Sequence, residues 1–225
     1  MPTTDVFVRT CPETPLRAMI ALVAIERWKL EPNTRLIVLD NPTLWRAKQG
    51  KAPYPLDRLD IPNGEHVYMD DEDDRKRFQW TSRAWADEHA TSDPYVLIDD
   101  DHCPLGKDWV QRALKLWNVH QHPKLAFLGS DSIMPSENQR GNYERINGQA
   151  CPEVYQAPYA MGAPLIHRKG IIDYTKFEGA PHQQDDIVTT SLRKRCLAFY
   201  YMRDVLYLHL GFGLSQVQPL LWLRH

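Results

Sequence analysis

The stretch YVLIDDDHCP, residues 95–104, sets an apolar run directly ahead of three consecutive aspartates, Asp99, Asp100 and Asp101, followed by His102. In a strand, alternate residues share a face, so Asp99 and Asp101 are expected to point one way and Asp100 the other. Two carboxylates held together at a strand end repel each other unless a cation or a donor lies between them. A hard divalent ion such as Mg²⁺ or Mn²⁺ takes oxygen ligands of this kind. The same triplet is also an ordinary solvated acidic turn, so the aspartates need company before they mean a site.

Magnesium keeps several waters and binds through one or two carboxylates plus the phosphates of a substrate, which points a sparse site toward a nucleotide ligand. The chain has no GxxxxGK[ST] and no GxGxxG after a strand, which disfavours a P-loop NTPase or a dinucleotide dehydrogenase. Two further carboxylates, Asp185 and Asp186, open the segment DDIVTTSLRKR. There they suit a helix start through its dipole, and either could instead serve as a base. His209 sits in VLYLHLG among apolar neighbours, the setting of an ordinary core histidine. Neutral imidazole can equally ligate a metal beside carboxylates, and His102 is a rival for that role.

The elements that must position these groups alternate in period. Strands are expected over residues 5–10, 35–40, 65–70 and 95–100, and the last three of them end on acid: Asp40, Asp70, and Asp99 with Asp100. Thr14 can cap a helix with Pro15 at its first position and an apolar stripe of Leu16, Met19, Ile20 and Val23. A second helix over residues 71–90 puts Phe78, Trp85 and His89 on one face and Lys76, Arg83 and Asp87 on the other. This β-α-β-α-β order implies a largely parallel sheet with helices on its faces and ligands outside the carboxyl ends of its strands. The second half is less regular. A helix at about 107–119 and a strand at 125–131 precede a long Pro-, Gly- and Asn-rich stretch, about 131–160, of the length that in compact domains is functional or mobile. GAPLIHR, a helix over 185–195 and two short strands, AFYYM and VLYLH, follow.

A length of 225 residues with 43% hydrophobic content fits one α/β domain with one sizeable core. Lys and Arg number 27 against 29 Asp and Glu, so no overall field recruits nucleic acid or an anionic membrane. LRKR and Arg168–Lys169 could still line a local basic groove. Cys11, Cys103, Cys151 and Cys196 form no CxxC pair and read as reduced thiols. The N-terminus has no leader pattern, and the apolar tail is broken by His209, Gln216, Gln218 and Pro219. The expectation is a cytoplasmic protein without a membrane segment.

The ordered set VFVRTCPETPLRAMIALVAIERW, LIVLDN, SRAWADEHA, YVLIDDDHCP, GAPLIHR, QQDDIVTTSLRKRC and VLYLHLG resembles the nucleotide-sugar-dependent glycosyltransferases of GT-A fold, inverting family-2 type, over nearly the whole chain. The resemblance implies a single GT-A-like, Rossmann-related domain over residues 1–225. Its central sheet would be mostly parallel, with a smaller mixed β region in the C-terminal half. Residues 1–103 would bind the nucleotide-sugar and 104–225 the acceptor. It further implies that Thr10, Glu13, Asp40, Arg83 and Asp100 bind the donor. Asp99, Asp101 and His209 would hold Mn²⁺ or Mg²⁺, Gly162 and Asp185 would face the acceptor, and Asp186 would be the base. The chain departs from the family in TCPETP, where an asparagine is common, and in Asp-Asp, where Glu-Asp is usual. A UDP-sugar is the favoured donor; the acceptor could be a glycan, a protein or a hydroxylated base in DNA. A nucleotidyltransferase, a non-catalytic nucleotide-sugar-binding domain and a glycoside hydrolase are the alternatives. The first would want a Gly-rich, basic loop after the first strand, and the last would need no metal.

Overall fold

The computed structural model describes residues 3–69, 75–132, 154–156, 164–177 and 184–210. Strand β1 (Thr4–Thr10) is buried along its whole length, as a central strand covered on both faces must be. It lies between β2 (Thr34–Asp40) and β4 (Tyr95–Asp99), both parallel to it, and β3 (Gly64–Tyr68) extends the sheet beyond β2. Thr10 is level with Asp40 and Arg9 with Asp99, so the acid-bearing strand ends emerge along one edge.

Beyond β4 the sheet becomes mixed. β8 (Leu165–His167) runs antiparallel to both β4 and β6 (Leu125–Ser132). β9 (Ala198–His209) runs parallel to β6, and β5 (His102–Pro104) and β7 (Val154–Gln156) pair antiparallel with β9. The order is β3-β2-β1-β4-β8-β6-β9-β5, with β7 off this path. The expected α/β domain, parallel in its first half and mixed in its second, is what the chain forms. The two strands expected over AFYYM and VLYLH are one strand of 12 residues. Its register against β6 slips between Ser130 and Asp131, and Arg203 and Asp204 fall in the slip, which is why the apolar pattern breaks there.

Alternation along β1 sends Val6 and Val8 to one side and Phe7 to the other. Val6, Val8, Ile25, Trp28, Val96, Ile98, Trp109 and Trp117 form the core under α1 (Pro15–Trp28) and α4 (Trp109–His120). Phe7, Ile37, Leu39, Ala86, Tyr95 and Leu97 form the opposite one, under α3 (Arg75–His89). Each fully buried large side chain contributes about 1.5–3 kcal/mol.

Two helix faces differ from expectation. Thr14 does cap α1, accepting from Arg17 N at 3.3 Å with Pro15 in the first turn. The buried face, however, is Ala18, Ala21, Ala24, Ile25 and Trp28, while Leu16, Met19 and Val23 are exposed. Alanines let the helix approach the sheet closely, and the indole of Trp28 then donates to His102 O at 2.7 Å. On α3, Arg83 is buried rather than solvated, at 5% exposure. Helices α2 (Thr43–Gln49) and α5 (Gln184–Lys194) complete the described set. Asp70–Asp74, Gly162 and most of the stretch 131–160 lie outside the described residues.

Candidate metal and nucleotide site

Strand β4 ends at Asp99, Asp100 and Asp101 form a turn, and β5 begins at His102. The strand alternation that would pair Asp99 with Asp101 is therefore lost, and the three carboxylates face three different neighbours. Asp99 is ion-paired with the buried Arg9. Asp100 Oδ2 accepts from Thr10 Oγ1 at 2.7 Å. Asp101 Oδ2 lies 3.2 Å from His209 Nε2 and accepts from Arg17 Nη1 at 3.3 Å, and its Oδ1 is 3.6 Å from His102 Nε2. Of the expected ligands Asp99, Asp101 and His209, the structure brings Asp101 and His209 together and adds His102, while Asp99 faces Arg9.

Strand pairing explains the histidines. His102 and His209 are direct partners in the antiparallel β5–β9 ladder, and Leu210 N donates to Asp101 O at 2.7 Å, fastening the turn to the end of β9. Ligand atoms of Asp101, His102 and His209 lie within 4.8 Å of one another. His102 Nδ1 is buried and has no hydrogen-bond partner among the described residues. One carboxylate and two imidazoles, with His102 Nε2 and His209 Nε2 both turned toward Asp101, fit a divalent cation.

The electrostatics agree with that fit. Burial pushes the His102 ring toward its neutral form, outweighing the neighbouring aspartates, and leaves a lone pair for a ligand bond. Burial alone would raise Asp101, but the hydrogen bond with His209, together with the charge of Arg17, holds it below the usual carboxylate range. Asp100 moves the other way. Burial, then the charges of Asp101 and Asp99, push it up to about 7 against the hydrogen bond from Thr10.

Beside Asp99 lies a group of buried polar side chains the sequence did not disclose. Arg9 and Arg83 are 6% and 5% exposed, and the Nε of each is buried without a partner among the described residues. The Arg83 guanidinium carbon is 6.0 Å from the Tyr174 ring centre. Tyr174 Oη in turn lies 3.3 Å from Nδ1 of the fully buried His167. Arg9 could have been suspected, since a charged residue in a strand expected to be buried must find a partner.

The other expected donor contacts are placed differently. Asp40 is completely buried, and both its oxygens are engaged, by Tyr54 Oη at 2.5 Å and His66 Nε2 at 2.9 Å. These two bonds fix the carboxylate at the end of β2, with one partner on each oxygen. His66 and Tyr68 stand beside it, with ring centres 4.4 Å apart, and Tyr68 is exposed. Glu13 is ion-paired with Lys48, and its carbonyl accepts from Gln49 Nε2 at 3.1 Å, tying the turn before α1 to α2. Asp186 is exposed on the first turn of α5 and lines a small cleft of about 370 Å³ with Phe177, Ile187, Thr190, Ser191 and Lys194. No hydrogen bond or ion pair joins it to the Asp101 cluster among the described residues. Gly162 and the side chain of Asp185 lie outside them.

No protein-family model matches the sequence, and no curated protein does. Solved structures do resemble it. The mannosyltransferase PcManGT from Pyrobaculum calidifontis, in complex with GDP-Man and Mn²⁺, superposes over 93% of this chain with a TM-score of 0.59 at 16% identity. S. aureus TarS 1-349 superposes over 91% with a TM-score of 0.56 at 12% identity. The chain spans 57% and 59% of those two proteins. At this identity the likeness establishes the fold, that of the GT-A glycosyltransferases. No helix among the described residues is long and apolar enough to cross a membrane.

Proposed function

We propose that the protein transfers a glycosyl group from a nucleoside-diphosphate sugar to an acceptor hydroxyl, with inversion at the anomeric carbon. The observation that carries this reading is the meeting of Asp101, His102 and His209, beside the Thr10–Asp100 pair, at the carboxyl ends of β1 and β4. Asp101, His102 and His209 would hold the cation, a mixed oxygen and nitrogen set that suits Mn²⁺ better than Mg²⁺. When bound, the ion supplies Lewis-acid stabilisation of the charge on the leaving diphosphate.

The chain's own residues supply the rest. Thr10 and Asp100 orient the donor at the strand ends. Asp99, with Arg9 and Arg83 behind it, offers a carboxylate and cationic donors to the sugar or its phosphates. Glu13 and Asp40 shape the nucleotide end through their neighbours. Asp186, exposed at the start of α5, takes the proton from the acceptor hydroxyl as that oxygen attacks the face opposite the leaving group, which inverts the configuration. Asp185 and Gly162 border the acceptor.

The test is a panel of nucleotide-sugars with Mn²⁺ or Mg²⁺, reading release of nucleoside diphosphate with and without candidate acceptors. UDP-sugars come first, and GDP-mannose is included because the mannosyltransferase with the same fold carries it. Release from at least one donor, abolished by chelation, is expected. Absence of release from every donor, together with no thermal response to metal and nucleotide, overturns the reading.

A further inference from the structure

Arg17 belongs to the first turn of α1, where its backbone N–H is held by Thr14 Oγ1 at 3.3 Å. No acid lies in that turn, so the positive end of the helix dipole goes uncompensated by its own residues. The Arg17 guanidinium reaches instead across the strand ends to Asp101 Oδ2 at 3.3 Å, its one ion-pair partner among the described residues. The hold is single and long rather than a two-point fork, and the side chain is 30% exposed, so other donors of the guanidinium still face solvent. His209 Nε2 lies 3.2 Å from the same oxygen.

We infer that Arg17 is a second cation built into the site, which contends with the divalent ion for Asp101 and binds the phosphates of the nucleotide once released from it. The inference rests on the proposed function and extends it to a residue that the sequence reading left aside. A divalent cation ligated at Asp101 brings two positive charges to an oxygen that a guanidinium already touches, and like charges at such a distance repel. Arg17 is then driven off its carboxylate while still tethered at the positive end of α1. The diphosphate that accompanies the cation is the negative group suited to that place, and the guanidinium fork matches phosphate oxygens. Arg17 therefore makes metal binding weak alone and strong with nucleotide, a coupling between two ligands.

Calorimetric titration of parent, Arg17→Gln and Arg17→Lys separates this from a structural role, because the two affinities should move in opposite directions. Arg17→Gln is expected to bind Mn²⁺ alone about threefold or more tighter, having lost the rival charge. With saturating Mn²⁺ it should bind UDP about tenfold or more weaker, having lost the phosphate donor, a span within ordinary coupling factors. Arg17→Lys, which keeps the charge without the fork, should fall between the two. Melting curves without ligand check that each variant folds. If Arg17→Gln changes both affinities in the same direction, or neither, the inference is wrong while the proposed function stands. If the parent binds neither Mn²⁺ nor UDP or GDP, the proposed function and this inference fall together.

Discussion

His102 and His209 face each other across the β5–β9 pair with ring centres 4.7 Å apart, and Asp101 touches both. The cluster joins the middle of the chain to the end of its last described strand, so binding there should stabilise the folded protein as a whole.

Mn²⁺ with UDP or GDP is expected to raise the melting temperature more than either alone. A ligand present at about 100 times its dissociation constant stabilises by about 2.7 kcal/mol, well within reach of a thermal scan. Asp101→Asn should remove the metal-dependent part, and His102→Gln and His209→Gln should each weaken it. A parental response in Asp101→Asn would show that the cation binds elsewhere.

Asp186→Asn keeps size and helix-start character but has no basicity. Donor affinity, read by calorimetry, should survive, while single-turnover transfer to a true acceptor should fall by about 10²–10⁴-fold, the range for a general base. Asp185→Asn should cost less. An unchanged rate in Asp186→Asn would move the base to another residue.

Burial holds the Glu31 carboxyl above its usual range, against hydrogen bonds from Val110 and Trp109 backbone N–H groups. Its Oε1 is buried without a partner among the described residues, while Oε2 accepts from Val110 N at 3.0 Å. The folded state thus binds a proton here more tightly than the unfolded chain. Stability therefore falls as pH rises from about 4.3, the unperturbed value, through the raised folded pKa, and levels off above it. Glu31→Gln removes this loss. Urea midpoints at pH 5 and pH 8 should show the variant gaining on the parent at the higher pH; a pH-independent difference would mean Glu31 stays charged throughout.

Trp28→Phe leaves the His102 carbonyl without its indole donor and removes part of the edge contact with Trp109, whose ring centre is 5.3 Å away. A cost of about 1–3 kcal/mol is expected for the unsatisfied acceptor. Because the bond fastens α1 to β5, Mn²⁺ affinity should fall as well. Loss of stability with full metal affinity would show that the cluster holds its geometry without α1.

Much of the architecture is local information, and the sequence by itself determined it. The capping threonine and Pro15 specify where α1 starts, the apolar runs specify β1, β2 and β4, and the aspartates that end β2 and β4 specify the edge where a ligand would sit. These depend on backbone propensity and on the two-residue period, both readable over a few positions. What the tertiary structure decided is which groups meet. The turn at Asp100 breaks the alternation that would have paired Asp99 with Asp101, and only the β5–β9 register brings His209, 108 residues away, to Asp101 and His102. Helix faces were decided in the same way. Leu16, Met19 and Val23 form the more apolar stripe of α1, yet the alanine face is buried, because close approach of backbone to sheet places Trp28 over β5. Arg83 looks solvated on a helical wheel and is buried because it packs beside Tyr174, Arg9 and His167. Contacts of this kind are set by packing between distant segments, and a linear pattern holds no term for them.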